Sequence, residues 1–180
     1  DIGNRQGDSG PVQDAEIIIT DDGLVEGWVT TLPEYSKKYQ AGATVTMYFS
    51  ARLDKKPDSF GTFIGEKVQE GARAVKGVGT GAYLTYKTTE GESITAQVGL
   101  SYTSVANARL NRETETDHGK LSFDEAREAS HKTWEEYLGR IRVETPVRED
   151  KVKFYTGLYH AVLGRGLASD VNGAYPRNDG

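Results

Sequence analysis

The chain has 180 residues, of which 22 are Lys or Arg and 27 are Asp or Glu, so its formal net charge is −5. This balance argues against a nucleic-acid-binding surface, because affinity for a phosphate backbone depends on clustered Lys and Arg. The absence of cysteine excludes a disulfide framework, a thiolate nucleophile and a thiolate-bound metal. No apolar run approaches the ~20 residues that cross a bilayer, so no membrane span is predicted.

As far as about residue 104, short apolar or alternating stretches are separated by turn residues, which is typical of β-strands. In Ala43–Leu53, residues Val45, Met47 and Phe49 alternate with polar residues and predict a strand with one buried face. The other predicted strands are Ala15–Thr20, Leu24–Leu32, Phe60–Ile64, Ala72–Val75, Ala82–Lys87 and Ser93–Ser104. We expect the last two to form a hairpin. At least six strands spaced in this way predict an antiparallel β-sandwich.

The pattern becomes helical after Ser104. Val105–Glu115 is compatible with a helix, and Ser122 with Glu125 has the form of a capping box that begins a second helix. Gly139 is placed to end that helix, and a short strand is predicted at 141–144. Thr145 and Pro146 then predict the start of a third helix that continues to about Leu163 and ends at Gly164 and Gly166.

These changes of pattern predict that the chain consists of three parts. Residues 1–104 form a β-domain, residues 105–144 a helical linker, and residues 145–180 the start of a further helical domain. A chain that begins without Met and ends on Asn178-Asp179-Gly180 is also expected to be part of a longer protein.

The histidines do not have a spacing that indicates a metal site. His118, His131 and His160 are far apart, and their spacing is not that of zinc ligands. The glycines of 77–81 lack the Lys and Ser or Thr of a phosphate-binding loop and are interpreted as turn residues.

The segment Asp170-Val171-Asn172-Gly173 is the best local candidate for function. It can turn the chain tightly while presenting carboxylate and amide oxygens together, as a loop that binds sugar hydroxyls or calcium would. Tyr175 and Asp179 extend this polar and aromatic cluster. The alternative is an Asx-turn without a ligand, and the residues by themselves leave both open.

Glycoside hydrolysis requires two carboxyl groups at a defined separation, which a sequence does not give. Most of the candidate acids fall on charged helical faces or links, so none is predicted to be catalytic. These acids are Glu113, Glu115, Asp117, Asp124, Glu125, Glu135 and Glu136.

Longer stretches of the chain carry a family resemblance. Gln97–Ser104 with 106–111, the helix Phe123–Val143 and the segment Lys153–Leu163 (KFYTGLYHAVL) are similar to parts of the glycoside hydrolase family 92 α-mannosidases. So is the loop of 169–180, where Asn172 replaces the commoner Asp. The resemblance implies part of a mutarotase-like supersandwich, a linker helix and the first helix of an (α/α)₆ barrel, cut short in this chain.

The resemblance also implies a function for the parent protein. Members of the family are exo-acting, calcium-dependent and inverting, and we expect a secreted or periplasmic bacterial enzyme that removes terminal α-linked mannose from glycans. Its acid and base, and its calcium ligands, are expected beyond this chain, which would be inactive alone. The expected substrate-binding residues are Asp170, Asn172, Tyr175 and Asp179, and the expected partner besides the glycan is the remainder of the polypeptide.

Two alternatives remain open from the residues. One is a non-catalytic β-sandwich that binds carbohydrate. The other is a structural interaction domain whose Tyr-rich helix packs on a partner.

Overall fold

The computed structural model describes residues 10–34, 42–163 and 168–177. Its strands and helices, in chain order, are β1 (Val12–Ile19), β2 (Val25–Thr31), β3 (Val45–Leu53), β4 (Ser59–Ile64), β5 (Lys67–Glu70), β6 (Ala74–Lys76), β7 (Thr80–Thr85), β8 (Ala96–Ser101), α1 (Val105–Glu115), a 3₁₀ turn (Asp117–Gly119), α2 (Phe123–Leu138) and α3 (Arg148–Leu163). In the described part, no helix is long and apolar enough to cross a membrane.

The strands form two antiparallel sheets, as the sequence predicts. One sheet has the order β6-β1-β2-β3-β8 and the other the order β5-β4-β7. The described residues divide into two compact units. The first holds both sheets, α1 and residues 168–177, and the second holds α2 and α3.

The predicted hairpin of Ala82–Lys87 with Ser93–Ser104 is wrong. Strand β7 pairs with β4 in the smaller sheet, whereas β8 pairs with β3 at the edge of the larger one. Neighbouring strands in a sequence often pair, but side-chain matching across the sheet decides the partner. Here Leu100 lies opposite Phe49. Strand β5 is not predicted, because its four residues are all exposed and lack an apolar alternation.

The larger sheet has an apolar face that is only partly covered. The cross-strand register places Ile17 of β1, Phe49 of β3, and Val98 and Leu100 of β8 on this face. At the β1 end Ile17 is 2% exposed, whereas Val98 and Leu100 at the β8 end are 56% and 53% exposed. Strand β1 contacts the smaller sheet through β7. The smaller sheet therefore covers the apolar face near β1 and leaves it open near β8.

The polar face of the larger sheet is covered by α1. Gly99 of β8 lies so close to this helix that an added Cβ would be 2.1 Å from the carbonyl oxygen of Ala108. Beside it, the buried carboxylate of Glu26 accepts two hydrogen bonds from Arg109, at 2.9 Å from Nε and 2.6 Å from Nη2. Ser50 is fully buried next to them and donates to Glu26 at 2.7 Å. On the polar side of β3, Ser50 is thus buried, whereas Phe49 and Ala51 on its apolar side are half-buried.

Local signals predict the helices α1 and α2 well. Ser104 caps α1 by accepting from the amide of Asn107, and the predicted capping box of Ser122 and Glu125 is present at α2. Gly139 is the C-cap of α2, as predicted. The whole of α1 occupies the predicted range.

Two local predictions near the third helix are wrong. Residues 141–144 are not a strand, because the Tyr155 hydroxyl donates to the Ile141 carbonyl and accepts from the Val143 amide. Helix α3 begins at Arg148 instead of Pro146, because the first helical carbonyl acceptor is that of Val147. The predicted stops at 164 and 166 lie outside the described residues.

Gly99→Ala tests the close approach of α1 to β8. The new methyl group would meet the backbone of Ala108 and, at 2.6 Å, the Cβ of Arg112. Helix or strand must therefore move, and we expect a loss of about 3 kcal/mol of stability. Chemical denaturation measures this loss.

Gly157→Ala is the matched control, since a Cβ added at Gly157 has no other atom within 4 Å. In a helix interior it should raise stability by about 0.5–1 kcal/mol. Equal stability of the two variants would contradict the close packing.

The open apolar face predicts that the 180-residue chain associates with itself in isolation, since uncovered apolar faces and strand edges favour pairing. Replacing Val98 and Leu100 by Thr keeps the β-propensity and removes apolar area, so association should weaken by at least tenfold, given about 1.5–3 kcal/mol for each buried side chain. Sedimentation velocity measures the change. Gln69→Thr on the exposed strand β5 is the control. A monomeric wild-type chain would show that this face is not adhesive.

Candidate functional site

The candidate site is a tight turn of five residues, Asp170 to Ala174, in the segment where the sequence predicts that the chain turns tightly. The Asp170 amide donates to the Ala174 carbonyl, and the Gly173 amide donates to the Asp170 carbonyl, both at 2.8 Å. Gly173 has a φ of 83°, in the region that glycine adopts without strain. The side-chain oxygen of Asn172 accepts from the Ala174 amide at 3.1 Å. The turn is therefore closed by its own backbone and by Asn172.

The carboxylate of Asp170 points into the protein and is enclosed by donors. The residue is 6% exposed. Its Oδ2 accepts from the hydroxyls of Ser101, at 3.0 Å, and Thr103, at 2.5 Å. Its Oδ1 accepts from Nδ2 of Asn111 at 2.7 Å. These donors come from the end of β8 and from α1, about 60–70 residues earlier in the chain.

The charge of Asp170 is stabilised by these contacts. Burial raises the pKa of its carboxyl group, but the hydrogen bonds from Thr103, Asn111 and Ser101 lower it by more, so the net shift is downward. The group is therefore ionised at neutral pH and unsuited to donate a proton. With three protein donors on two oxygens, it is also poorly placed to accept a proton from water.

The structure separates the predicted site residues by environment. Asp170 is buried and internally bonded, whereas Asn172 is exposed and Tyr175 is 65% exposed. Asp179 lies outside the described residues, and its role stays a prediction. The turn thus presents Asn172 and Tyr175 outward from an anchor at Asp170.

Sequence reasoning missed the residues that hold this turn, namely Ser101, Thr103, Asn107 and Asn111. A weak signal was present, because Asn107 and Asn111 are four apart and share one helix face. Asn107 accepts from Nδ2 of Asn172 at 3.1 Å. The amide of Asn172 therefore supplies a donor that a carboxylate at this position would lack.

The described residues contain no group of three or more His, Cys, Asp or Glu side chains that could hold a metal ion. His131 pairs with Glu135 at 3.8 Å on an exposed helix face, and the ring of His160 contacts that of Tyr159. Calcium requires six to eight oxygen ligands, and the carboxylate of Asp170 is already surrounded by donors. These residues do not fit a calcium site.

Two family models match the chain in order. The model of the glycosyl hydrolase family 92 N-terminal domain matches residues 1–101, and that of the family 92 catalytic domain matches residues 107–180. The chain belongs to glycosyl hydrolase family 92. The candidate turn lies in the part of the chain that matches the catalytic domain. None of the curated proteins matches the chain.

Solved structures of the family share the fold. The family 92 glycosyl hydrolase ccman5 is 30% identical over 95% of this chain, with a TM-score of 0.79. The α-mannosidase BT3965 from Bacteroides thetaiotaomicron is 24% identical over 91%, with a TM-score of 0.80. The inverting mannosidase BT2199 from the same organism is 23% identical over 83%, with a TM-score of 0.69. The matches cover 22%, 22% and 19% of those chains, so this chain spans about a fifth of their length.

Because Asp170 is ionised in the folded protein, we expect the stability of the turn to depend on pH. The pKa of the Asp170 carboxyl group is lower in the folded state than in the unfolded state. The contribution of this group to stability is therefore fully present above its unfolded pKa, near 3.8, and is lost as the pH falls through the lower folded pKa. Hydrogen exchange of the Val171, Gly173 and Ala174 amides should therefore lose protection by about 10- to 100-fold on acidification, since a bond to a charged group contributes about 1.5–3 kcal/mol.

Asp170→Ala is the companion variant for this measurement. It leaves the three donors without their acceptor, so protection of the same amides should already be low at neutral pH and change little on acidification. Wild-type protection that stays constant from about pH 6 to pH 2 would contradict the role of the carboxylate.

Proposed function

We propose that the protein containing this chain is an exo-acting α-mannosidase that removes terminal α-linked mannose from glycans with inversion and with the assistance of calcium. The supporting observation is the consecutive match to the N-terminal and catalytic domains of one glycosyl hydrolase family. Two solved structures of the same fold are described as mannosidases, one of them as inverting. Both are under 25% identical to this chain, so they support the substrate only by analogy.

The described turn suggests how this chain contributes to such an enzyme. Asn172 on the turn and Tyr175 directly after it are both exposed, and an amide and an aromatic ring are groups that suit contact with a sugar. Asp170 accepts one bond on Oδ1 and two on Oδ2, so any sugar hydroxyl would reach it only through Oδ1. We propose that these residues, with Asp179, form part of the wall around the terminal mannose.

We propose that the catalytic acid and base lie in the remainder of the polypeptide. Inverting hydrolysis needs a general acid with a raised pKa opposite a general base, about 6.5–9.5 Å away. Asp170 has the opposite shift, and its hydrogen-bond partners are hydroxyls and amides instead of a second carboxyl group. The same remainder would supply the calcium ligands.

The rest of the polypeptide is also the proposed partner of the exposed apolar surfaces. In the first unit these are Val98 and Leu100 of β8. In the second unit, α2 and α3 have no buried residue, and Val152, Val162 and Leu163 of α3 are 45–50% exposed. A helix with apolar residues this exposed normally packs on further helices. We further propose a secreted or periplasmic location in a bacterium. The organism of BT3965 and BT2199 supports only the bacterial part of this proposal.

The test is hydrolysis of an aryl α-mannoside by two proteins, the isolated chain and the full-length parent. We expect turnover only from the parent, with loss of activity on calcium chelation and recovery on its return. Proton NMR of the first-formed anomer reports inversion. Turnover by the isolated chain would show that an acid and a base are present within it.

Binding without hydrolysis decides the alternative. A parent protein that binds mannosides and does not cleave any aryl α-glycoside would favour a carbohydrate-binding sandwich over an enzyme. Calorimetry with mannose and with glucose separates this outcome from an absence of sugar binding, which would favour a structural domain.

A further inference from the structure

We infer that Asn111 of α1 is a positioning residue, through which the helix fixes the Asp170 turn and thereby places Asn172 and Tyr175. The inference rests on the proposed function for its catalytic consequence. The structural part of it, the fixing of the turn, stands on the contacts of the described residues alone.

The side-chain amide of Asn111 is the central connection of the site. The residue is 8% exposed. Its Nδ2 donates to the Leu100 carbonyl and to Oδ1 of Asp170, both at 2.7 Å. Its Oδ1 accepts from the amide of Val171 at 2.9 Å. One amide therefore joins the end of β8, the carboxylate of the turn and the backbone of the turn.

The chemistry at this position requires an amide. A carboxylate at 111 could still accept from Val171, but it could not donate to Leu100 or Asp170 and would place two negative charges together. An aliphatic side chain would remove one hydrogen-bond partner from each of the three groups. The orientation of the amide is also determined, because exchanging its N and O would direct the oxygen at two acceptors.

Asn107 supports the same face of the helix one turn earlier. Its Nδ2 donates to Oγ1 of Thr103 at 2.7 Å, and its Oδ1 accepts from Asn172 at 3.1 Å. The two asparagines thus hold the turn at two points, Asn111 at 170–171 and Asn107 at 172. Since α1 is itself pressed on β8 at Gly99, the position of the turn is set by the larger sheet.

The main experiment uses the full-length parent enzyme and the isosteric change Asn111→Asp. Kinetic constants per folded enzyme are measured well below the unfolding midpoint with an aryl α-mannoside. Because the turn would shift, we expect kcat/KM to fall by about tenfold to 100-fold, with a rise in KM. A residue that only stabilised the fold would leave kcat and KM of the folded fraction unchanged, and that result would overturn the inference. Thr114→Ala, at an exposed position of the same helix, is the control.

A second readout does not depend on activity. Hydrogen exchange should show lost protection of the Val171 and Gly173 amides in Asn111→Asp and retained protection in Thr114→Ala. The double variant N111D/D170N restores a carboxylate–amide pair with exchanged roles, so it should recover part of the lost protection. Full protection in Asn111→Asp, or no recovery in the double variant, would contradict the inference.

The two proposals can fail separately. A wild-type parent without activity on α-mannosides would defeat the proposed function, and the exchange measurement would still decide whether Asn111 fixes the turn. An active parent whose Asn111→Asp variant keeps its kinetic constants would defeat only the positioning role.

Discussion

Helix α1 lies directly on strand β8 at Gly99, where no side chain separates the two backbones, and the candidate site depends on this contact. The short distance brings the helix's polar side chains within reach of the sheet on one side and of the Asp170 turn on the other. Arg109 binds Glu26 of β2, while Asn107 and Asn111 bind the turn. A larger residue at 99 would move the helix away from both.

Two carboxylates of this region are buried, and hydrogen bonds from neighbouring groups compensate for the loss of solvent around their charges. Burial raises the pKa of Glu26 and of Asp170, and in each case hydrogen bonds from neighbouring donors lower it by more. Both carboxylates therefore remain charged and fully engaged in holding elements together. Removing one partner of such a group leaves a buried charge or donor uncompensated, which destabilises the contact between helix, sheet and turn.

A glycoside hydrolase can place structural support and reaction chemistry in different parts of its chain. The described residues supply a rigid sheet, a helix pressed on it and a turn that is anchored inward and exposed outward. The open apolar face near β8 and the exposed apolar residues of α3 are surfaces on which more of the polypeptide can pack. Under the proposed function, the chain would position a wall of the sugar site, and the proposed acid, base and calcium ligands would complete the site from the rest of the polypeptide.

Much of the local structure could be predicted from the sequence, because it depends on residues close together in the chain. The alternation of Val45, Met47 and Phe49 predicts β3, and Ser122 with Glu125 predicts the start of α2. The tendency of Asp170, Asn172 and Gly173 to form a tight turn is likewise local. The strand predicted at 141–144 is absent, because the Tyr155 hydroxyl forms hydrogen bonds with the backbone of that segment.

Contacts between distant residues were decided only by the tertiary structure. The pairing of β8 with β3 depends on matching side chains about fifty residues apart, such as Leu100 and Phe49. Likewise, the donors to Asp170 are 59–69 residues away in the chain. The four-residue spacing of Asn107 and Asn111 does not identify the turn as their partner. The sequence by itself determined the family, the types of most elements and the turn at 170–174. The packing of α1 on Gly99 made Asp170 an anchor, because it holds α1 next to the end of β8, where Asn111 reaches the carboxylate.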